Sequence, residues 1–419
     1  MRRVALSFRA PSVAWNRGPA LCLSDVMRWL SRGGAVLAGL LLLAPGVGAR
    51  SGAGRAGSQA TFTPPPIRHV FVIMLENKDY AATFGDPGAD PYLARTLVSE
   101  GALLTRYYAT GHESNDNYVS FISGQAPNPA NQADCQYFTP FSDTGTVYPG
   151  QAVGDGCVFP GQVPTLANQL TSHGFTWKGY MQDMGNDSTR DHGTVCAHPA
   201  LGAKDDTQAA VPGDGYATRH DPFVYFESII GHPAYCDSRV VPLGSTTGAL
   251  PKGVPPGTTG LATDLRSAST TPNLAFIVPN LCYDGHDYPC KNQPSGSSAL
   301  ADIDAFLKTW VPLITGSPAF KRNGLLEITF DESAGPKSDS SACCNETPGP
   351  NSPLPGIDGP GGGRVGAVLL SPFIKPGTVT TRAYNHYSSL ASVEQLFGLP
   401  ALGMARTVST RFGPDVYTN

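Results

Sequence analysis

The chain is 419 residues long, 41% of them apolar and only 15% charged, which is enough to bury a sizeable core and unlike a highly charged, disordered chain. Glycine (48) and proline (38) are abundant, but no Gly-X-Y period runs through them, so a collagen-like fibre is excluded and a loop-rich globular protein is indicated. Six of the 29 basic residues and one of the 33 acidic residues fall in the first 49 positions, so the remainder is more acidic than the net −4 suggests and has no basic surface for nucleic acid.

The start of the chain explains that asymmetry. An apolar run from Ala35 to Ala44 follows Arg28 and Arg32 and precedes the small residues Val47-Gly48-Ala49. The run is short for a bilayer span, and its flanks are those of a secretory signal. We read residues 1–49 as a signal peptide, with Met27 as a second candidate start and an uncut anchor as the competing reading. Cleavage would leave no stable membrane span and place the protein outside the cytoplasm, either secreted or in the cell envelope or periplasm. Residues 50–66 are Gly, Ala, Ser, Thr and Pro-rich and read as a disordered linker. Residues 67–419 read as a single domain.

Within that domain short apolar runs alternate with helical patterns. His69 to Leu75 reads as a buried strand, Pro91 to Glu100 as a helix stopped by Gly101, Pro164 to Ser172 as a second helix, and Phe175 to Tyr180 as the next strand. Leu274 to Val278 is a strand, Ser298 to Leu313 a long amphipathic helix, Leu325 to Phe330 a central strand, Val365 to Leu370 a late strand, and His386 to Phe397 a helix closed by Gly398. Continuous apolar strands interleaved with helices imply an α/β fold with a mainly parallel central sheet and helices on both faces. Residues 126–163 and 186–262 break the rhythm and read as insertions over one sheet edge, and Gly335 to Gly363 forms a further long loop.

Cys22 lies in the segment expected to be removed, leaving eight cysteines, an even number suited to disulfides in an oxidising compartment. Spacing favours the local pairs 135–157, 196–236 and 282–290, with Cys343 and Cys344 forming a vicinal bridge or being shared out differently. The first two pairs would pin the insertions.

In an open parallel sheet, ligands gather at the carboxyl ends of the strands. Three such ends carry polar groups: Glu76-Asn77, Asp284-Gly285-His286-Asp287 and Asp331-Glu332. Carboxylate and amide oxygens are the donors a hard or borderline divalent cation takes. Any one end is an ordinary turn; three at one rim favour a site. Ser114 falls at or near a helix start, where backbone N–H groups and the helix dipole favour a phosphoryl group, although a plain N-cap explains it as well.

Met74-Leu75-Glu76-Asn77 with His112-Glu113-Ser114-Asn115-Asp116-Asn117-Tyr118 resembles the MEN…HPSLPNY…SG signature of the bacterial and fungal phosphoesterases, a family of secreted acid phosphatases and phospholipases C within the alkaline phosphatase superfamily. The resemblance continues in order through His220-Asp221-Pro222-Phe223, Pro279 to Asp287, Thr329-Phe330-Asp331-Glu332 and Tyr384-Asn385-His386-Tyr387-Ser388, spanning Ile67 to Gly398. It implies an alkaline phosphatase-like fold, with Ser114 as nucleophile and Glu76, Asn77, Asp331, Glu332 and Ser114 itself as ligands of one divalent metal ion (Mg, Mn, Ca or Zn). It further implies Asn117, His220 and His112 around the phosphate, His286 facing it, and Asp284, Asp287 and His386 as supports. The chain departs from the family at Glu113 (Pro) and Asn115-Asp116 (Leu-Pro), and Gly335 to Gly363 replaces a Gly-rich block.

Chemistry agrees with that set. A serine hydroxyl needs a metal or a base to become a good nucleophile, a divalent ion also offsets phosphoryl charge, and His286 is placed to protonate a leaving oxygen at mildly acidic pH. The leading expectation is an acid phosphatase acting on a small phosphate ester through a phosphoserine. The alternatives are a phospholipase C with a phospholipid substrate and a non-catalytic binding protein.

Overall fold

The computed structural model describes residues 62–290 and 296–418; the expected signal segment and residues 50–61 of the linker lie outside the described residues. The strands are β1 (His69–Leu75), β2 (Ala102–Tyr108), β3 (Ser142–Val147), β4 (Gln151–Asp155), β5 (Trp177–Met181), β6 (Val240–Pro242), β7 (Leu274–Val278), β8 (Gly324–Phe330), β9 (Ala367–Leu370) and β10 (Thr378–Asn385). The principal helices are α1 (Ser114–Ser123), α2 (Leu166–Ser172), α3 (Ala299–Gly316), α4 (Pro318–Asn323) and α5 (His386–Phe397).

Every side chain of β1 is buried, as its unbroken apolar run requires, and the strand has parallel neighbours on both sides. The eight-stranded sheet runs β10-β2-β9-β8-β1-β7-β5-β6, with β3 and β4 forming a separate hairpin. Within the eight-stranded sheet all pairings are parallel except those of β9, which is antiparallel to both β2 and β8. This confirms the α/β reading and the mainly parallel sheet, in which the late strand is the one that runs against the others. The chain returns to the sheet after the long 335–363 excursion, so β9 needs no crossover helix and enters from the opposite edge.

Helix boundaries follow local chemistry. Ser298 caps α3 by accepting from Ala301 N–H, and its buried face repeats through Leu300, Ile303, Phe306, Leu307, Trp310, Val311 and Ile314. That face carries the helix past Pro312 to Gly316, beyond the expected end at Leu313. Asn385 and Ser388 form a reciprocal capping box at α5, and Gly398, at φ 69°, closes it in the left-handed conformation. The expected helix from Pro91 is a π-helix over Tyr92–Leu97 followed by one α-turn, Val98–Glu100. Its start is fixed by Asp304 of α3, whose carboxylate accepts from Tyr92 and Leu93 N–H at 3.0 and 3.1 Å. Packing links α1, α2 and α5 into one group and α3, α4 and the π-helix into another.

The three expected pairs 135–157, 196–236 and 282–290 are bridged, and of the two arrangements left open for Cys343 and Cys344 the vicinal bridge is the one found. Residues 126–163 hold the β3–β4 hairpin, while 186–262 is less separate than expected, because Val240–Pro242 joins the sheet as its edge strand β6.

Candidate active site

Because β1, β2, β7, β8 and β10 all run the same way, the residues that follow them meet at one edge of the sheet. Glu76 follows β1, the 110–114 turn follows β2, Asp284 lies beyond β7, Asp331 follows β8 and His386 follows β10.

Glu76 is the centre of the arrangement. It is fully buried, and its carboxylate accepts from Ser114 Oγ at 2.8 Å and from Tyr118 OH at 2.6 Å. Ser114 and Tyr118 are four apart on α1, hence on one face of the helix. His220 lies between two carboxylates, its Nε2 3.3 Å from Glu76 Oε1 and its Nδ1 3.2 Å from Asp284 Oδ2. The ring of Tyr118 stacks on it, centroids 5.2 Å apart. Asp331 Oδ1 accepts from the backbone N–H of Asn77 and of Glu332 (2.9 and 2.6 Å), while its Oδ2 is buried without a partner. Asn77 adopts φ 56°, which turns its N–H onto Asp331.

The electrostatics are those of a buried acidic cluster. Burial, then the charges of Asp331 and Asp284, pushes the Glu76 carboxyl well above its ordinary range. Burial does the same to Asp284 and Glu332, and holds the His220 imidazole well below its usual value, so that it is neutral. A neutral imidazole has one proton for the two carboxylates beside it, and its other nitrogen offers a lone pair. Glu76, His220 and Asp284 place one donor atom each within 4.8 Å of one another. Together with the orphaned oxygen of Asp331, this donor set fits a divalent cation, which would supply the charge that buried carboxylates otherwise lack.

The structure thus brings Glu76, Asn77, Ser114 and Asp331 together and adds His220 and Asp284, expected at the phosphate and as a support. Four expected participants, Glu332, His112, Asn117 and His286, face elsewhere. Glu332 turns to His112, Oε2 to Nδ1 at 2.6 Å, and the other His112 nitrogen donates to the Asp339 carbonyl, so both are spent on the pocket wall. The Asn117 amide is consumed by its own turn: its Oδ1 accepts from Thr110 and Gly111 N–H, and its Nδ2 donates to the Gly111 and Glu113 carbonyls. Glu113, in place of Pro, closes this turn, whereas Asn115-Asp116, in place of Leu-Pro, lie in the first turn of α1. His286 is held by Asp287 at Nδ1 (2.7 Å) and by Arg219 at Nε2 (3.0 Å). Arginine only donates, so this nitrogen carries a lone pair and has no proton to give in this arrangement. His386 Nε2 donates to the Asp331 carbonyl at 2.7 Å, and Tyr107 and Ser389 connect it to the buried Glu327 in β8.

The model described as the Phosphoesterase family matches residues 87–400. The chain belongs to the phosphoesterase family. Members of this family are hydrolases of phosphoric ester bonds, and the chain is such a hydrolase. It is 26% identical over 383 residues to the phosphatidylinositol-3-phosphatase of Mycobacterium tuberculosis, covering 91% of this chain and 92% of that one. It is 24% identical over 336 residues to an acid phosphatase of Aspergillus fumigatus, covering 80% of this chain but only 55% of the fungal protein. Among solved structures, an alkaline phosphatase superfamily protein from Vibrio parahaemolyticus aligns with a TM-score of 0.44 at 15% identity, over 80% of this chain and 67% of that one.

Sequence reasoning passed over Tyr118, Arg219 and Asp134. The four-residue spacing from Ser114 could have flagged Tyr118. Arg219 and Asp134 reach the site only through the folding of two insertions, and no local pattern announces them.

Proposed function

We propose that this phosphoesterase is an exported, metal-dependent phosphomonoesterase that carries the phosphoryl group on Ser114. The observation behind this is the placement of Ser114 at the amino end of α1 with its hydroxyl proton already directed to a buried carboxylate, Glu76. Ser114 Oγ would form a bond to phosphorus as the bond from phosphorus to the alcohol oxygen breaks. The hydroxyl proton passes toward Glu76, and the departing alkoxide takes its proton from solvent water. Water then displaces Ser114 and releases inorganic phosphate. Glu76, Asp331, His220 and Asp284, with Asn77 beside them, are the residues that would hold the cation, which polarises phosphoryl oxygens and favours the serine alkoxide. Tyr118 fixes Glu76, and the α1 dipole favours the anionic group at its amino end. The names of both relatives, a phosphatidylinositol-3-phosphatase and an acid phosphatase, support monoester over diester chemistry.

Export rests on the signal-like residues 1–49 and on four disulfides in the folded part. In this reading residues 50–66 link the signal to one catalytic domain, 67–419. The test compares p-nitrophenyl phosphate with its phosphorylcholine ester, before and after chelation and metal add-back, and looks for phosphate on Ser114 in acid-quenched protein by mass spectrometry. Monoester turnover that is lost with the metal and absent in Ser114→Ala is expected. Full activity after exhaustive chelation, or more than about a tenth of wild-type kcat in Ser114→Ala, would refute the proposal, since loss of a nucleophile costs several powers of ten.

A further inference from the structure

Asp134 belongs to no motif, yet it joins the two halves of the site. It lies in a turn with Cys135, both at positive φ (53° and 48°), and Cys135 is bridged to Cys157. One of its carboxylate oxygens accepts the backbone N–H of Asn115 at 3.0 Å, which fixes the peptide immediately after Ser114. The other lies 3.4 Å from Arg219 Nε. Arg219 is 1% exposed and is held further by the Gln208 carbonyl at 3.0 Å; its Nη2 donates to His286, and its own carbonyl accepts from Asn115 Nδ2 at 3.1 Å. The backbone after Ser114 and the Arg219–His286–Asp287 row are therefore tied through this carboxylate, alongside the Asn115 amide on the Arg219 carbonyl, and the carboxylate is borne by the residue next to the disulfide that closes residues 135–157.

We infer that Asp134 is a positioning residue for the phosphoryl-transfer step, setting Ser114 against the Arg219–His286 wall, and that the Cys135–Cys157 bridge holds it there. This rests on the Ser114 reading above. A carboxylate that takes a backbone N–H on one oxygen and pairs with a buried guanidinium on the other restrains both partners, and angstrom-scale errors at a nucleophile cost about 10²-fold in rate.

The experiment uses the full exported protein and p-nitrophenyl phosphate. Asp134→Ala should lower kcat and the single-turnover rate of Ser114 phosphorylation by about 10–100-fold with little change in KM. Asp134→Asn, which keeps an oxygen for the Asn115 N–H, should recover much of that loss. Arg219→Gln added to Asp134→Ala should cost far less than it does alone, because both changes sever the same tie. The paired Cys135→Ser and Cys157→Ser variant should reproduce the kcat loss at temperatures where circular dichroism shows it folded. A phosphorylation rate within twofold of wild type in Asp134→Ala, a fall in melting temperature alone, or multiplicative losses with Arg219→Gln would each overturn the inference. Wild-type protein inert toward the monoester would instead sink the Ser114 reading.

Discussion

Asp331 has one carboxylate oxygen held by two backbone N–H groups and the other buried and held by nothing. If that oxygen serves a cation, Asp331→Asn should weaken metal binding by an order of magnitude or more while preserving the turn, and excess metal should restore part of the activity. Metal analysis after dialysis separates this from a turn-capping role, which would leave occupancy intact. Glu394 offers a second case. One of its oxygens accepts Leu402 N–H at 2.8 Å, the other has no partner, and burial raises its carboxyl from 4.5 to about 8. A raised carboxyl stabilises the fold while it stays protonated, and that contribution fades as pH climbs from 4.5 to about 8. Glu394→Gln should therefore flatten the decline of melting temperature across this window; an unchanged slope would show that Glu394 does not carry it. At this scale, Glu76, Ser114 and Asp331 were legible because strand ends and a helix start mark them in the chain. The inward turn of the Asn117 amide was not, because a side chain whose bonds are satisfied within its own turn reads in sequence like one with none.

Among the elements, those with unbroken apolar runs were the readable ones: β1 and β7 begin and end where the pattern says. β2 and β10 escaped notice because their apolar runs are broken by exposed residues, Arg106 and Arg382 among them, and β10 also carries a bulge between Thr380 and Ala383. Tertiary pairing, not propensity, makes them strands. α5 links element to site, since its first residue, His386, braces the Asp331 carbonyl. Asn385→Ala removes the cap and should cost about 1 kcal/mol of stability, with a larger relative fall in metal affinity than a cap at a remote helix would produce. Thermal unfolding and metal titration on the same sample would check both halves of that expectation.

For the molecule as a whole, a cluster of buried carboxylates is a burden on the fold that a bound cation would relieve. Metal should raise the melting temperature by mass action, with about 2.7 kcal/mol expected at a hundredfold excess over Kd, and a chelator should lower it; superimposable melting curves would contradict the metal site. The α/β class was readable at this scale because the order of apolar strands and helices is a property of the whole sequence. The join between Asp134 and Arg219 was not, because it depends on how two disulfide-closed insertions fold back over the sheet.

The single reversed strand, β9, has a mechanical consequence. It divides the parallel strands into two blocks: β2 with β10, leading to Ser114, and β8, β1, β7, β5 and β6, leading to Asp331, Glu76 and Asp284. Since β9 runs backwards, the chain entering it crosses the catalytic edge between those blocks. Gly362 donates its N–H to Ala109 beyond β2 and accepts from Ser333 beyond β8 through its carbonyl, and Gly363 accepts from Ala109 N–H. A Cβ on Gly362 would run into the Gly111 carbonyl, in the turn that leads to Ser114. This crossing is a shim whose thickness is one hydrogen atom, lying between the turn that leads to Ser114 and the strand end that carries Asp331. Gly362→Ala should therefore push these two apart, with turnover falling more steeply than stability.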